Sequence, residues 1–223
     1  MTTYKTAKGI LDRTLKTPYF TKSVIPYHRV EGKGPLVVVI GENASGKSFL
    51  RRVIGSVCMH FCKPKIEFMG LSMEGRRNTS FNPWMTFVYG DESYESTGVN
   101  SVDTVLTGIE TCRKRETPHV IFWDEPDLGL SEGYAAGLGE KIRDFAIDPP
   151  KHTVAAFIVT HRRALVEALL PANPTLIYLG EEGPATLQEW VEAPIQAKDP
   201  SKLKHASRER SKAIKRVLDQ RKK

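Results

Sequence analysis

Residues 41–48 constrain this chain more than any other segment. Gly41, Glu42, Asn43, Ala44, Ser45, Gly46, Lys47 and Ser48 follow directly on the apolar run Leu36-Val37-Val38-Val39-Ile40. A continuous, largely β-branched run of this kind reads as a strand buried on both faces of a parallel sheet. The loop after it, Gly41-x4-Gly46-Lys47-Ser48, then opens a predicted helix, Phe49 to Phe61, with Leu50, Val53, Ile54 and Val57 inward. Backbone N–H groups of such a loop can wrap phosphate oxygens, and the N-terminus of the following helix adds a favourable dipole. In this reading Lys47 reaches the β- and γ-phosphates of a nucleotide and Ser48 binds Mg²⁺ through its hydroxyl. A bare glycine-rich turn is the alternative; the strand before the loop and the helix after it favour the phosphate reading.

Two further apolar runs end in polar groups. His119-Val120-Ile121-Phe122-Trp123 runs into Asp124-Glu125-Pro126, and Val154 to Val159 runs into Thr160-His161. Asp124, at a strand end, would hold Mg²⁺ directly or through water. Glu125, one residue on, would orient and polarise an attacking water as general base. A helix or turn cap is the plain structural alternative for the acidic pair. His161 stands 36 residues beyond Glu125, at the end of the next strand. There an imidazole can hydrogen-bond the γ-phosphate and hold the water and Glu125 in place; a purely structural histidine is the alternative.

The rest of the chain supplies the frame. Ile10, Leu11 and Leu15 suggest a short helix. Helices are expected at 101–115, 131–146 and 162–169, the second with Tyr134, Leu138, Ile142 and Phe145 at helical spacing. Strands are expected at 85–89 and 175–179. Strands alternating with helices indicate an α/β sheet.

Charge separates the chain into two parts. The whole carries +7, yet residues 198–223 hold eleven Lys or Arg against three Asp or Glu, so residues 1–197 are close to neutral. Residues 1–197 are therefore expected to form the folded domain and 198–223 a basic tail. The tail has helical character, with Leu203, Ala206, Ala213, Ile214, Val217 and Leu218 on one broad face. That stripe can dock on the body or on another chain, and the basic residues can contact nucleic acid or an acidic partner. Three cysteines, Cys58, Cys62 and Cys112, are too few and too oddly spaced for a disulfide framework or a zinc site and read as reduced structural residues. No apolar run approaches the roughly 18 residues that cross a bilayer, and no apolar leader core follows the N-terminus, so a cytoplasmic location without membrane contact is expected.

The ordered set Gly41–Ser48, Ile121–Pro126 and Thr160-His161 resembles the ATP-binding-cassette ATPases over about residues 35–180. It is most similar to their soluble, non-transporter branch, which includes overcoming-lysogenization-type nucleases and chromosome-maintenance or repair ATPases. Asp124-Glu125-Pro126-Asp127-Leu128-Gly129-Leu130-Ser131 is similar to the post-strand sequence of that branch. The resemblance implies a P-loop NTPase fold with a mostly parallel sheet flanked by helices, ATP as the nucleotide, and hydrolysis to ADP and phosphate. It also implies an ATP-dependent homodimer in which a signature segment of one protomer closes over the ATP of the other. The register of that signature lands on Asn100-Ser101-Val102-Asp103-Thr104. Ser101 would then open the helix at 101–115 and contact the γ-phosphate in trans; a simple helix N-cap is the alternative. Three departures qualify the likeness. Val102 and Asp103 replace the usual glycine pair, and an acidic residue near a γ-phosphate is unfavourable unless it points away. No glutamine precedes Gln188, so the coupling-loop glutamine of the family is missing. Lys47 and Ser101 are only 54 residues apart, so the helical subdomain that grips a membrane partner is cut down or absent.

The expected function is a compact ATPase, not a transporter subunit, that dimerises on ATP and switches a nucleic-acid or effector-protein partner. The alternative is a P-loop kinase of a nucleotide or other small molecule, which would need an arginine-rich lid; Arg162-Arg163 and Arg76-Arg77 are candidates. A non-catalytic nucleotide-binding module is the third reading, and the joint presence of Lys47, Ser48, Asp124 and Glu125 argues against it. Tyr27 could stack on the base, or serve only as a core or surface residue.

Overall fold

The computed structural model describes residues 6–72 and 96–220. The strand expected at 85–89 and the Arg76-Arg77 pair lie outside the described residues. Six strands form one sheet: β1 (Tyr27–Val30), β2 (Leu36–Gly41), β3 (Glu67–Ser72), β4 (His119–Asp124), β5 (Thr153–Val159) and β6 (Thr175–Leu179), in the order β1-β6-β2-β5-β4-β3. β1 pairs antiparallel with β6, and every other pairing is parallel. The fold is α/β, with helices on both faces, as expected.

Burial explains why these runs are strands. All six residues of β2 and all six of β4 are buried. Because successive side chains point to opposite faces, Val37, Val39, Val120 and Phe122 enter one core while Val38, Ile40, Ile121 and Trp123 enter the other. The first core is roofed by α1 (Ala7–Leu15), α2 (Pro18–Thr21) and α3 (Lys47–Ser56); the second by α4 (Thr97–Lys114), α5 (Glu132–Ile147), α6 (Arg163–Leu169) and α7 (Leu187–Glu192). Aromatic side chains tie the layers. Phe122 stacks on Phe157 at 5.6 Å, and Trp123 meets Phe145 edge-on at 5.7 Å. The three cysteines are buried thiols, and burial pushes Cys58 and Cys112 up to about 12.

Several helix boundaries differ from expectation. α3 ends at Ser56 and passes into a π-helical turn, Val57–Phe61. α4 begins at Thr97, where the Ser96 hydroxyl accepts from the Val99 N–H, so its start lies four residues before Ser101. In α5 the inward set is Ala135, Leu138, Ile142 and Phe145; Tyr134 is turned out and exposed. Between β3 and β4 the described residues contain the single helix α4.

The tail is helical. A 3₁₀ turn at Pro200–Lys202 leads into α8 (Leu203–Gln220). Only its C-terminal half docks. Val217 is buried and Ile214 packs beside it on the first core, while Leu203 and Leu218 stay exposed. Arg210 donates to the Val24 carbonyl, and Lys22 donates to the Gln220 side chain. The helix thus docks on α2 and the segment that follows it and leaves most of its basic residues in solvent. Among the described residues no helix is long and apolar enough to cross a membrane.

Candidate nucleotide-phosphate site

The chain leaves β2 through α3 and re-enters the sheet at β3, on the far edge. β5 and β4 fill the gap, so the carboxyl ends of β2, β5 and β4 stand side by side. Ligands of open α/β sheets bind at this kind of strand-order switch, beyond the carboxyl ends. The three sequence segments singled out above therefore converge, with Thr160-His161 between the glycine loop and the acidic pair.

The loop is shaped for close approach. A Cβ on Gly41 would lie 2.7 Å from both the Leu179 carbonyl oxygen and Ser45 Oγ. Gly46 has φ +110°, a conformation costly for any other residue. As N-cap of α3 it brings no side chain, so the first amides of α3 receive no side-chain cap. Ser45 Oγ is buried and has no hydrogen-bond partner among the described residues. A buried unpaired hydroxyl carries a desolvation cost that a bound acceptor relieves. Lys47 is buried, and its ammonium donates to the Gly41 and Glu42 carbonyls at 2.9 Å each. Burial lowers its pKa, while the carboxylates of Glu125, Asp124 and Glu42 pull it back up. Glu42, Asn43 and Ser48 line the exposed side of the loop, and Ala44 adopts φ +65° at its turn. An orphaned hydroxyl, a crowded glycine cradle and a caged ammonium fit the phosphates of a nucleotide.

The acidic pair is held by the sheet. Asp124 ends β4 opposite Val159 and is buried; Arg51 Nε lies 3.6 Å from its Oδ2. Glu125 N–H donates to the Val159 carbonyl at 2.9 Å, extending the ladder by one bond. Its φ of +54° is left-handed, rare for a non-glycine residue, and turns its carboxylate off the strand line. Such strain costs about 1–3 kcal/mol and clusters at functional sites. His161 Nε2 sits 3.7 Å from Glu125 Oε1. Burial, then the charge of Lys47, holds the His161 pKa below its ordinary value of 6.5, so the ring is neutral at pH 7.

Sequence reasoning missed the brace beneath this site. Thr160 Oγ1 donates to Asp127 Oδ2 at 3.0 Å and accepts from the Arg162 N–H at 2.9 Å. Arg162 reaches on to Glu132 at 2.7 Å. Burial raises the Asp127 pKa, and its Oδ1 has no hydrogen-bond partner among the described residues. Asp127 and Thr160 are 33 residues apart, and no local pattern couples them. Arg51 did carry a signal, since it stands four residues after Lys47 and so shares its helix face.

Ser101 lies apart from this assembly. It is fully buried inside α4, its hydroxyl 2.9 Å from the Thr97 carbonyl oxygen and 2.7 Å from that of Leu128. It does not start the helix and is not its N-cap; Ser96 fills that role. Tyr27 is part-exposed on β1 and meets Phe20 edge-on at 5.8 Å. Of the arginines considered for a lid, the described pair is engaged, Arg162 with Glu132 and Asp127, and Arg163 over the Trp190 ring at 5.8 Å.

No protein-family model matches the chain. The human protein Pseudouridylate synthase PUS7L is 25% identical over 134 residues, which cover 58% of this chain and 19% of that protein. Among solved structures, the crystal structure of Cdc6p from Pyrobaculum aerophilum superposes with a TM-score of 0.35 at 14% identity, over 73% of this chain and 40% of that one. The P-loop α/β fold is evident in the chain itself, in the strand order β2-β5-β4 and in the loop from Gly41 to Ser48.

Proposed function

We propose that the chain binds ATP and hydrolyses it to ADP and phosphate, as an ATP-binding-cassette-type ATPase outside the transporter branch. The observation that carries this reading is the approach of His161 to Glu125 at 3.7 Å, beside the caged Lys47 ammonium. Lys47 and the loop amides hold the phosphates, and the Ser45 hydroxyl donates to one of their oxygens. Ser48 and Asp124 would hold Mg²⁺, Asp124 then exchanging its contact with Arg51 for the ion, which would supply neutralisation of the charge on the phosphate oxygens. Glu125 accepts a proton from water as its oxygen attacks the γ-phosphorus, and the bond to the ADP oxygen breaks. Neutral His161 orients Glu125 and the γ-phosphate. The engaged state of Arg162 and Arg163 disfavours the kinase alternative. Pseudouridylate synthesis, named for the partial relative, is not carried over.

Product analysis tests this directly. With ATP and Mg²⁺ the chain should release free phosphate; γ-phosphate recovered on an acceptor instead would remove the ATPase reading. The pH profile tests His161. Because its pKa is lowered from 6.5, the ring is neutral above that value and gains a proton only below it. Hydrolysis should be flat from pH 7 to 8 and fall as pH drops through the range below 6.5. His161→Gln should lose about tenfold in rate, the order of one hydrogen bond, and lose that acid limb. An unchanged limb in the variant would assign it elsewhere.

We further propose that ATP drives homodimerisation and that the partner switched by this cycle is nucleic acid, contacted by the basic tail, residues 198–223, with the whole acting in the cytoplasm. Six Lys and Arg residues of the segment Lys202–Arg216 are exposed while Val217 anchors the helix, which supports the tail as a presented surface. Removal of residues 198–223 should weaken binding to an oligonucleotide and flatten its salt dependence. Equal binding and slope in the truncated chain would sink the tail assignment.

A further inference from the structure

Apart from the phosphate loop, α1, α2 and α3 enclose an open cavity of about 400 Å³. Its lining joins three cations, Arg13, Lys16 and Arg52, to three aromatic residues, Tyr19, Phe49 and Phe61. The Arg13 guanidinium stacks over the Phe61 ring at 5.1 Å, and Phe61 is half exposed. Tyr19 and Phe49 meet edge-on at 4.7 Å and form a rigid aromatic wall. The hydrolytic site uses none of these six residues. Phe49 stands in the first turn of α3 and Phe61 ends the π-helical turn that follows it, so the aromatic lining spans that whole segment.

The tail helix lies against the same α2. Val217 packs on this core, Lys22 bonds to Gln220, and Arg210 bonds to the Val24 carbonyl. Pro18 and Tyr19 of α2 line the cavity, so the cavity and the docked tail helix share α2. A track of cations beside aromatic platforms is the chemistry that binds single strands, since phosphates meet the cations and bases stack on the rings. A duplex keeps its base faces covered.

We propose that this cavity is a binding site for single-stranded nucleic acid, with a base stacked against Phe61 and backbone phosphates on Arg13, Lys16 and Arg52. It rests on the nucleic-acid partner proposed above and places that contact on the body as well as the tail. The test is fluorescence anisotropy of a labelled 20-nucleotide poly(U) strand with the full chain, without ATP, over a salt series. Phe61→Ala should weaken binding about tenfold with an unchanged salt slope, as expected for one lost stack. Arg52→Glu should weaken it by a similar factor and flatten the slope. Both residues are exposed, so phosphate release and melting temperature should be unaltered. Binding by both variants equal to that of the unaltered chain would overturn the cavity site while leaving the tail contact standing. Absence of binding by the unaltered chain would overturn the nucleic-acid reading as a whole. Displacement of the strand by free ATP, one for one, would make the cavity a mononucleotide pocket and overturn the proposal. Equal affinity for a duplex, with Phe61→Ala silent, would overturn the stacking.

Discussion

Glu125→Gln is expected to lower phosphate release by a factor on the order of 10²–10⁴, the range a positioned general base supplies, while leaving ATP binding intact. The substitution keeps the shape of the side chain and removes only its capacity to take a proton. It also keeps the backbone, because the Glu125 N–H still donates to the Val159 carbonyl. The expected consequence is accumulation of an ATP-bound dimer. Light scattering with ATP and Mg²⁺ should show the mass rise from 25.0 kDa to twice that value. Unchanged phosphate release would remove Glu125 from its role as base. Loss of hydrolysis with a mass that stays monomeric would keep the base and count against the head-to-tail dimer. The same preparation addresses Ser101. Its hydroxyl faces two carbonyl oxygens of its own chain, so Ser101→Ala in the Glu125→Gln background should leave the dimer fraction unchanged unless α4 rearranges on ATP binding.

Where the sequence could be read and where it could not follow from the range of the interactions involved. β2, β4 and β5 are continuous apolar runs because parallel strands covered on both faces need apolar side chains on both. That signal is local, and so are the loop and acidic pair that end the runs. The start of α4 lies earlier than the expected 101 because Ser96 and Ser101 are both residues that can cap a helix, and it is the Ser96 hydroxyl that accepts from the Val99 N–H. Tyr134 and Ala135 were exchanged because both fit a helical stripe, and only packing on Leu138 and Ile142 decides between neighbours. The Thr160–Asp127–Arg162–Glu132 brace was beyond reach since each link joins side chains distant in sequence. The tail shows the same division. Helical periodicity was visible, but the docking of its second half depends on the surface offered by α2 and the segment after it.

Strand order accounts for the largest gain from sequence to site. In sequence the histidine comes after the acidic pair; in the sheet β5 lies between β2 and β4. His161 is therefore a wall shared by the loop and the acidic pair, close enough to Lys47 for its charge to depress the imidazole pKa. A turn cap made of Asp124 and Glu125 would need no such neighbour, which is one support for the hydrolytic reading proposed above. Under the proposed function Arg51 would add a condition on metal entry, because its guanidinium lies 3.6 Å from the Asp124 carboxylate.

Lys47→Met should abolish ATP binding while leaving the unliganded fold nearly as stable, and the reason lies in two opposed effects at one buried atom. The ammonium donates to the Gly41 and Glu42 carbonyls, so its removal costs two hydrogen bonds of about 0.5–1.5 kcal/mol each. Against this, burial lowers the Lys47 pKa from 10.5, which means the charged form is less favoured in the fold than in the unfolded chain. That penalty is carried at every pH where the ammonium is charged, including pH 7, and fades only as pH rises past the lowered pKa. Methionine has no charge to desolvate, so the variant escapes the penalty as it loses the hydrogen bonds. The unliganded melting temperature should therefore move by a few degrees at most. ATP at 100 times its Kd stabilises the unaltered chain by about 2.7 kcal/mol, a rise of about 5–10 °C for a domain of this size. In Lys47→Met the rise should vanish, since the cation that meets the β- and γ-phosphates is gone. A variant that keeps the full ATP-dependent rise would place the phosphates elsewhere. A variant that melts far lower without ATP would make Lys47 a structural residue of the loop first and a ligand second.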